Sequence, residues 1–265
     1  MGLSEEGVPV AILCGGMGTR LREETEARPK PMVEIGGMPI LWHIMRTYAA
    51  FGHRRFVLCL GYKGWQIKDF FVRHRWLTND FTLHTAMGEI EIHGIGAGLD
   101  WSITFVDTGI ETPTGGRLAR ARPYLGNGRF MATYGDGLAD IDIRALLAHH
   151  SMMGRTATVT GIRPSSPFGV LETRDGLAAS FREKPRLDGL VNGGFFVFEP
   201  GIFGLIETTS VLEEEPLRRL AAGGSLAVYE HTGFWACMDT FKDAERLRGM
   251  WDRGERPWAP AGGAP

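Results

Sequence analysis

Gly15-Gly16-Met17-Gly18-Thr19-Arg20 follows the apolar run Val8 to Leu13, and glycines at such a junction let backbone N–H groups turn toward a bound anion with no Cβ in the way. A nucleoside triphosphate fits that chemistry. Alone, a glycine-rich turn after a strand is a routine α/β connection. It is not a Walker A loop, since no Gly-Lys-Ser/Thr follows, and Leu21 stands where a dinucleotide fingerprint needs its third glycine. Two neighbours sharpen it: Arg20 offers a forked guanidinium suited to phosphate, and Lys30 is framed by Pro29 and Pro31, whose rings hold the lysine stem extended. Asp136, between Gly135 and Gly137 after the apolar run Phe130 to Tyr134, sits where ligands gather in open α/β sheets. A carboxylate there can reach a magnesium ion, which takes one or two protein carboxylates and leaves its other positions to water and phosphate, so a second carboxylate is expected.

The elements that must position these groups alternate. Strands are expected over Val8 to Leu13, Phe56 to Leu60, Phe81 to Thr85, Ile103 to Asp107, Phe130 to Tyr134, Thr156 to Ile162, Phe195 to Phe198 and Leu226 to Glu230. Helical spacing marks Pro39 to Ala50, Trp65 to His74, Ile143 to His150, Glu213 to Leu220 and Asp239 to Trp251. Strand following helix implies an α/β fold: a single Rossmann-like domain with a mainly parallel, mixed central sheet flanked by helices. Glu89 to Trp101, with Gly94, Gly96 and Gly98, reads as a hairpin or loop insertion. The domain is expected over 8–256, after a leader at 1–7 and before a disordered Pro, Gly and Ala-rich tail at 257–265.

With 265 residues, 43% of them hydrophobic, the chain can bury a full core. A formal net charge of -2 gives no basic field for a nucleic-acid backbone, so a small-molecule partner is favoured. No apolar run approaches a membrane span, and the acidic start Met1-Gly2-Leu3-Ser4-Glu5-Glu6 is unlike a signal peptide; a cytoplasmic location without membrane contact follows as the expectation. Cys14, Cys59 and Cys237 form no CxxC and read as free thiols. The eight histidines lack metal-ligand spacing and are expected to have structural or surface roles. No Gly-x-Ser-x-Gly elbow is present.

Gly15 to Leu21 followed by Pro29-Lys30-Pro31-Met32-Val33-Glu34-Ile35-Gly36-Gly37 resembles the signature of sugar nucleotidylyltransferases. Gly61-Tyr62-Lys63-Gly64, Val106-Asp107-Thr108-Gly109, Thr114-Gly115-Gly116-Arg117-Leu118, Tyr134-Gly135-Asp136-Gly137, Glu183-Lys184-Pro185, Asn192-Gly193-Gly194-Phe195-Phe196, Gly233-Phe234-Trp235 and Met238-Asp239-Thr240 extend the likeness toward the glucose-1-phosphate cytidylyltransferase subfamily. The resemblance runs from about Val8 to Trp258, with Cys14 where alanine is usual and Arg28 where lysine is common. It implies transfer of a cytidylyl group from CTP to glucose 1-phosphate with release of pyrophosphate. Asp239 would be the second Mg²⁺ ligand beside Asp136, and Arg20 and Lys30 would share the catalytic work. Nucleotide contacts would come from Leu13, Gly15, Gly16, Met17, Gly18, Thr19, Arg20, Lys30, Thr114, Gly116, Arg117, Gly135 and Asp136. Glu183, Lys184, Asn192 and Gly193 would take the sugar phosphate, and a homo-oligomer is expected.

An already ionised phosphate needs no general base, so catalysis reduces to positioning and charge neutralisation. A uridylyl- or thymidylyltransferase would use the same loop and metal pair. The base preference rests on the Thr114 to Arg117 stretch and the overall likeness, and Arg117 could equally be a helix surface charge. A non-catalytic nucleotide sensor on the same fold would be free to lose a metal ligand or the phosphate lysine, and this chain keeps all of them.

Overall fold

Side chains alternate across a strand, so a strand apolar on both faces must separate two cores. In β1 (Val10–Leu13), Val10 and Ile12 enter one apolar cluster and Ala11 the other. The same division runs through β2 (Arg55–Leu60), β3 (Ser102–Asp107), β4 (Phe130–Tyr134), β5 (Ala157–Ile162), β6 (Val191–Phe198) and β7 (Leu226–His231). Phe195 and Val197 of β6, for example, face the first cluster, and Phe196 and Phe198 the second. The computed structural model describes residues 7–93, 100–166, 168–186 and 188–260.

These seven strands form one sheet in the order β7-β5-β6-β4-β1-β2-β3. β1 pairs in parallel with β2 and β4, β2 with β3, and β5 with β7, while β6 runs antiparallel to both β4 and β5. The mainly parallel, mixed sheet expected from the alternation is therefore what forms. Helices Ile40–Ala50, Gly64–Leu77, Ile143–Met153 and Phe241–Asp252 lie over the first face, contributing Ile44, Tyr48, Ile67, Leu146 and Leu247 to its core. Helices Thr114–Leu125 and Glu215–Ala222 cover the second with Leu118, Ala121 and Leu220.

The chain leaves β1 toward β2 and β3 on one side and returns with β4 on the other, so the strand order reverses between β1 and β4. Loops leaving such a switch point diverge and open a crevice at the carboxyl ends of the strands. Leu13 lies opposite Tyr134 in register, and Gly135 N–H donates to Leu13 O at 3.1 Å. The glycine loop after β1 and the Asp136 turn after β4 are thereby set side by side. Antiparallel β6 starts at this same edge, which brings Asn192 and Gly193 toward it.

The strand expected after Phe81 forms as Phe81–His84 and pairs with Glu89–Ile92 in a hairpin separate from the main sheet; residues 94–99 of that stretch lie outside the described residues. Other features differ from the sequence reading. A second hairpin, Val170–Arg174 with Leu177–Arg182, and the helix Thr114–Leu125 carried no clear periodic signal. Pro257 to Pro260 is part of the folded unit: Trp258 is 2% exposed in the first core, against the rings of His43 and Phe234. The rest of the tail, 261–265, and leader residues 1–6 fall outside the described residues.

Candidate active site

Asp136 and Asp239 are far apart in sequence and are joined by a short ladder. The strand Gly137–Ala139 pairs with Trp235–Cys237, and Met238 N–H donates to Asp136 O at 2.9 Å, which turns both carboxylates into one crevice. The following helix fixes Asp239 from the other side. Thr240 and Asp243 form a reciprocal capping box, and Asp243 Oδ2 also accepts from the Asp239 N–H at 3.2 Å.

Lys30 closes this arrangement. Its Nζ donates to Asp136 Oδ2 at 2.5 Å and to Asp239 Oδ1 at 2.7 Å, and Arg20 Nη1 donates to Asp239 Oδ2 at 3.1 Å. Burial works against the Lys30 charge, but the Asp136 carboxylate, with the hydrogen bonds Lys30 donates to both aspartates, holds its pKa above the ordinary lysine value. Burial likewise opposes the Asp239 charge, yet Lys30 and then Arg20 bring its pKa below the usual carboxylate range. The Arg20 side chain remains 75% exposed, so it can turn to a ligand.

These groups line a cavity of ≈ 330 Å³ together with Leu13, Gly15, Gly16, Gly18, Thr19, Thr114 and Gly135. Cys14, Pro31, Thr112, Pro113, Arg117 and Tyr134 complete the lining. Met17 is exposed and Gly116 does not line the cavity; a Cβ on Gly116 would lie 2.1 Å from Thr208 O, so that glycine serves helix-to-loop packing. Arg117 is not a surface charge, and part of it lines the cavity. It is 4% exposed, with its guanidinium bound to Leu60 O, Thr108 Oγ1, Gly109 O, Gly15 O and Ile110 O beneath the cavity.

Among the residues expected to meet the sugar phosphate, Asn192 Nδ2 donates to the Tyr134 hydroxyl at 3.0 Å, and Gly193 O accepts from Trp235 Nε1 at 2.8 Å. Glu183 and Lys184 lie apart from the crevice lining, exposed and 3.8 Å from each other, with Lys184 in the left-handed region at φ 46°. A second cavity of ≈ 510 Å³ opens beside Asp239, bounded by Trp235, Arg163, Arg186 and Arg246.

Three residues near the crevice escaped sequence reasoning. Cys237 Sγ lies with the Asp136 and Asp239 oxygens, all within 4.8 Å of one another. Tyr134 and Glu213 form part of the wall linking Thr114 to Asn192. Only the Tyr134-Gly135-Asp136-Gly137 motif pointed near any of them. Three of the histidines are built into the fold: His43 and His150 are buried and hydrogen-bonded to Ile35 O and Thr158 Oγ1, and His53 accepts from Val8 N–H.

The nucleotidyl transferase family model matches residues 10–220. The chain is 47% identical over 250 residues to the glucose-1-phosphate cytidylyltransferase of Salmonella typhimurium (strain LT2), covering 93% of this chain and 97% of that one. It is 46% identical over 249 residues to the probable glucose-1-phosphate cytidylyltransferase of Bacillus subtilis (strain 168), with the same shares covered. The chain belongs to the nucleotidyl transferase family. Among solved structures, HddC from Yersinia pseudotuberculosis superposes with a TM-score of 0.67 at 21% identity, covering 92% of this chain and 99% of that one, which shows a shared fold.

Enzymes of this family generally use a divalent metal. The residues present fit one: two carboxylates converge on a single point, and the Lys30 ammonium already occupies it as a cation. Cys237 does not compete for a hard ion. Burial first, then Asp136, pushes its pKa up, so it stays a neutral thiol.

Proposed function

We propose that the protein transfers the cytidylyl group of CTP to glucose 1-phosphate, giving CDP-glucose and pyrophosphate, with Mg²⁺ as the metal. The observation that carries the reaction class is the convergence of the Gly15 to Arg20 loop, Lys30, Asp136 and Asp239 on one crevice. The choice of CTP and glucose follows from the likeness to cytidylyltransferases over 93% of the chain.

In this reading a phosphate oxygen of glucose 1-phosphate attacks the α-phosphorus of CTP. The new O–P bond forms as the bond to the bridging oxygen breaks, and pyrophosphate leaves with that electron pair. The backbone N–H groups of Gly15, Gly16 and Gly18 hold the phosphates, while Arg20 and Lys30 neutralise charge gathering on the leaving pyrophosphate. Asp136 and Asp239 would hold the Mg²⁺, which when bound supplies charge neutralisation and alignment at the α-phosphate. Glu183, Lys184, Asn192 and Gly193 are the proposed sugar-phosphate contacts; Asn192 and Gly193 stand at the crevice edge, and Lys184 brings the cation a phosphate needs. The attacking phosphate is already ionised, so no side chain need act as a base.

The experiment supplies all four nucleoside triphosphates together with glucose 1-phosphate and Mg²⁺ and identifies the products by mass. CDP-glucose as the main product is expected; predominant UDP-glucose would overturn the cytidylyl assignment. No described helix is long and apolar enough to cross a membrane. We assign the reaction to the cytoplasm, where nucleoside triphosphates are held, and detection of the native enzyme only in a membrane fraction would contradict that. A homo-oligomer belongs to the same reading, with Leu171, Leu177 and Phe181 exposed on one hairpin as apolar surface for it. Sedimentation as a monomer at micromolar concentration would remove it.

A further inference from the structure

Arg117 is a buried cation whose hydrogen bonds among the described residues all go to neutral oxygens, with the Asp107 carboxylate acting on it only through space. Burial holds its pKa below the ordinary arginine value, the sign of a charge kept where solvation is poor. A fold seeking only stability would place an apolar side chain there, because desolvating a charge without a counterion is costly. What the guanidinium has instead is five neutral oxygens from three separate segments. Nη1 donates to Leu60 O at 3.1 Å, Thr108 Oγ1 at 2.8 Å and Gly109 O at 2.8 Å; Nη2 donates to Gly15 O at 3.1 Å and Ile110 O at 3.0 Å.

The Gly15 carbonyl is the informative acceptor. It also takes the Tyr62 N–H at 3.2 Å, so it is fixed toward the protein interior from two directions. The C=O and the following N–H of a trans peptide point opposite ways. Holding Gly15 O inward therefore aims the Gly16 N–H outward, on the side of the crevice that Gly16 lines. The same guanidinium holds Gly109 and Ile110, just before Thr112, Pro113 and Thr114 of the facing wall.

Two glycines keep the space open. Gly15 and Gly61 have no positive φ, so turn geometry does not demand glycine at either place. A Cβ on Gly15 would lie 1.8 Å from Arg117 Nη1, and one on Gly61 would lie 2.6 Å from Gly15 O and 2.7 Å from Nη1. Both are glycine because the guanidinium passes between them.

We propose that Arg117 is a positioning residue: by clamping the Gly15 carbonyl it presets the Gly15–Gly16 peptide, and with it the Gly16 N–H, for the phosphates of the nucleotide. The proposal deepens the nucleotidyl-transfer reading and depends on the phosphate loop, not on the identity of the base.

The test compares wild type with Arg117→Lys, which keeps the charge and loses the fork, and with Arg117→Ala. Binding is measured by calorimetry to inorganic tripolyphosphate, to CTP and to glucose 1-phosphate, each with Mg²⁺, alongside the melting temperature. Arg117→Lys should weaken tripolyphosphate and CTP by about tenfold or more while glucose 1-phosphate binds as before. Millimolar guanidinium should restore tripolyphosphate binding to Arg117→Ala without affecting wild type. Unchanged tripolyphosphate affinity in a folded Arg117→Lys would overturn the proposal, as would equal weakening toward all three ligands, the mark of a merely structural role. If Arg117→Ala does not fold, Arg117→Lys decides alone. Because tripolyphosphate carries no base, a wrong choice of CTP would show in the product assay and leave this result standing.

Discussion

The Tyr134 hydroxyl donates to Glu213 Oε1 at 2.5 Å, joining a residue at the end of β4 to one before the helix Glu215–Ala222. Glu213 Oε2 accepts from Thr114 Oγ1 at 2.5 Å, and the Tyr134 hydroxyl accepts from Asn192 Nδ2. One hydrogen-bonded chain thus runs from Thr114 to Asn192, which the proposed function gives to the nucleotide and the sugar phosphate. Burial, then the Glu213 charge, holds the Tyr134 pKa up, so the phenol keeps its proton and remains the donor.

Glu213→Gln tests that chain, because an amide has one acceptor oxygen where the carboxylate serves two hydroxyls. Hydrogen bonds to a charged group contribute about 1.5–3 kcal/mol, so kcat/KM should fall roughly 10- to 100-fold while circular dichroism is unchanged. An unaltered kcat/KM would show that the chain is only scaffolding.

Lys30 holds the pair of carboxylates that the proposed function gives to the metal ion. Asp136→Asn and Asp239→Asn should each lower kcat by about a hundredfold or more, and EDTA should inactivate the wild type reversibly. Lys30→Met should also lose about a hundredfold in rate. With the ammonium gone the two carboxylates face each other unbalanced, so added Mg²⁺ should raise the melting temperature of Lys30→Met more than that of wild type. An equal rise in both would show that Lys30 does not screen the pair.

Acid should destabilise the fold through its histidines. Burial lowers the pKa of His43, His53 and His150 below the ordinary value of about 6.5. The unfolded chain therefore binds more protons than the folded one from about pH 6.5 down to the folded values, and stability falls as pH falls through that window. His53 Nδ1 accepts from Val8 N–H at 3.1 Å, a bond that protonation breaks. Melting at pH 5.5 should come well below that at pH 7.5. His53→Gln, whose amide oxygen can still accept, should narrow the gap; an identical gap would clear His53.

Trp258 fills space in the first core against His43 and Phe234, so Trp258→Ala should cost about 3–5 kcal/mol. Chemical denaturation measures it, and a loss under about 1 kcal/mol would mean that the neighbouring side chains close over the gap.

The central strands were legible because both of their faces are buried, which leaves continuous apolar runs such as Phe130 to Tyr134. The hairpin Val170–Arg182 was not, since its residues are mostly exposed and no alternation marks them. Thr114–Leu125 contains Gly115, Gly116 and Pro123, and its helix is held by tertiary contact: Gly116 N–H donates to Ser210 O, and Thr114 Oγ1 accepts from Leu212 N–H. Composition likewise misrepresents Pro257 to Pro260, where one tryptophan outweighs its flexible neighbours. Arg20, Lys30 and Asp136 stood out in distinctive local settings, whereas Asp239 came only with the family resemblance. Glu213, one of three consecutive glutamates, had nothing local to set it apart, because its meaning lies in Tyr134 and Thr114 far away in sequence.

β1 lies inside the sheet although it is made before the strands on either side of it, and Asp239 follows all seven strands. During synthesis on a ribosome, the phosphate loop emerges early and waits for its second carboxylate until the sheet is complete. Translation that stalls before Asp239 leaves a chain with only one of the two carboxylates that meet at Lys30, and without Trp258 in its core. The crevice is therefore complete only after the last strand of the sheet and the turn that carries Asp239 have been made.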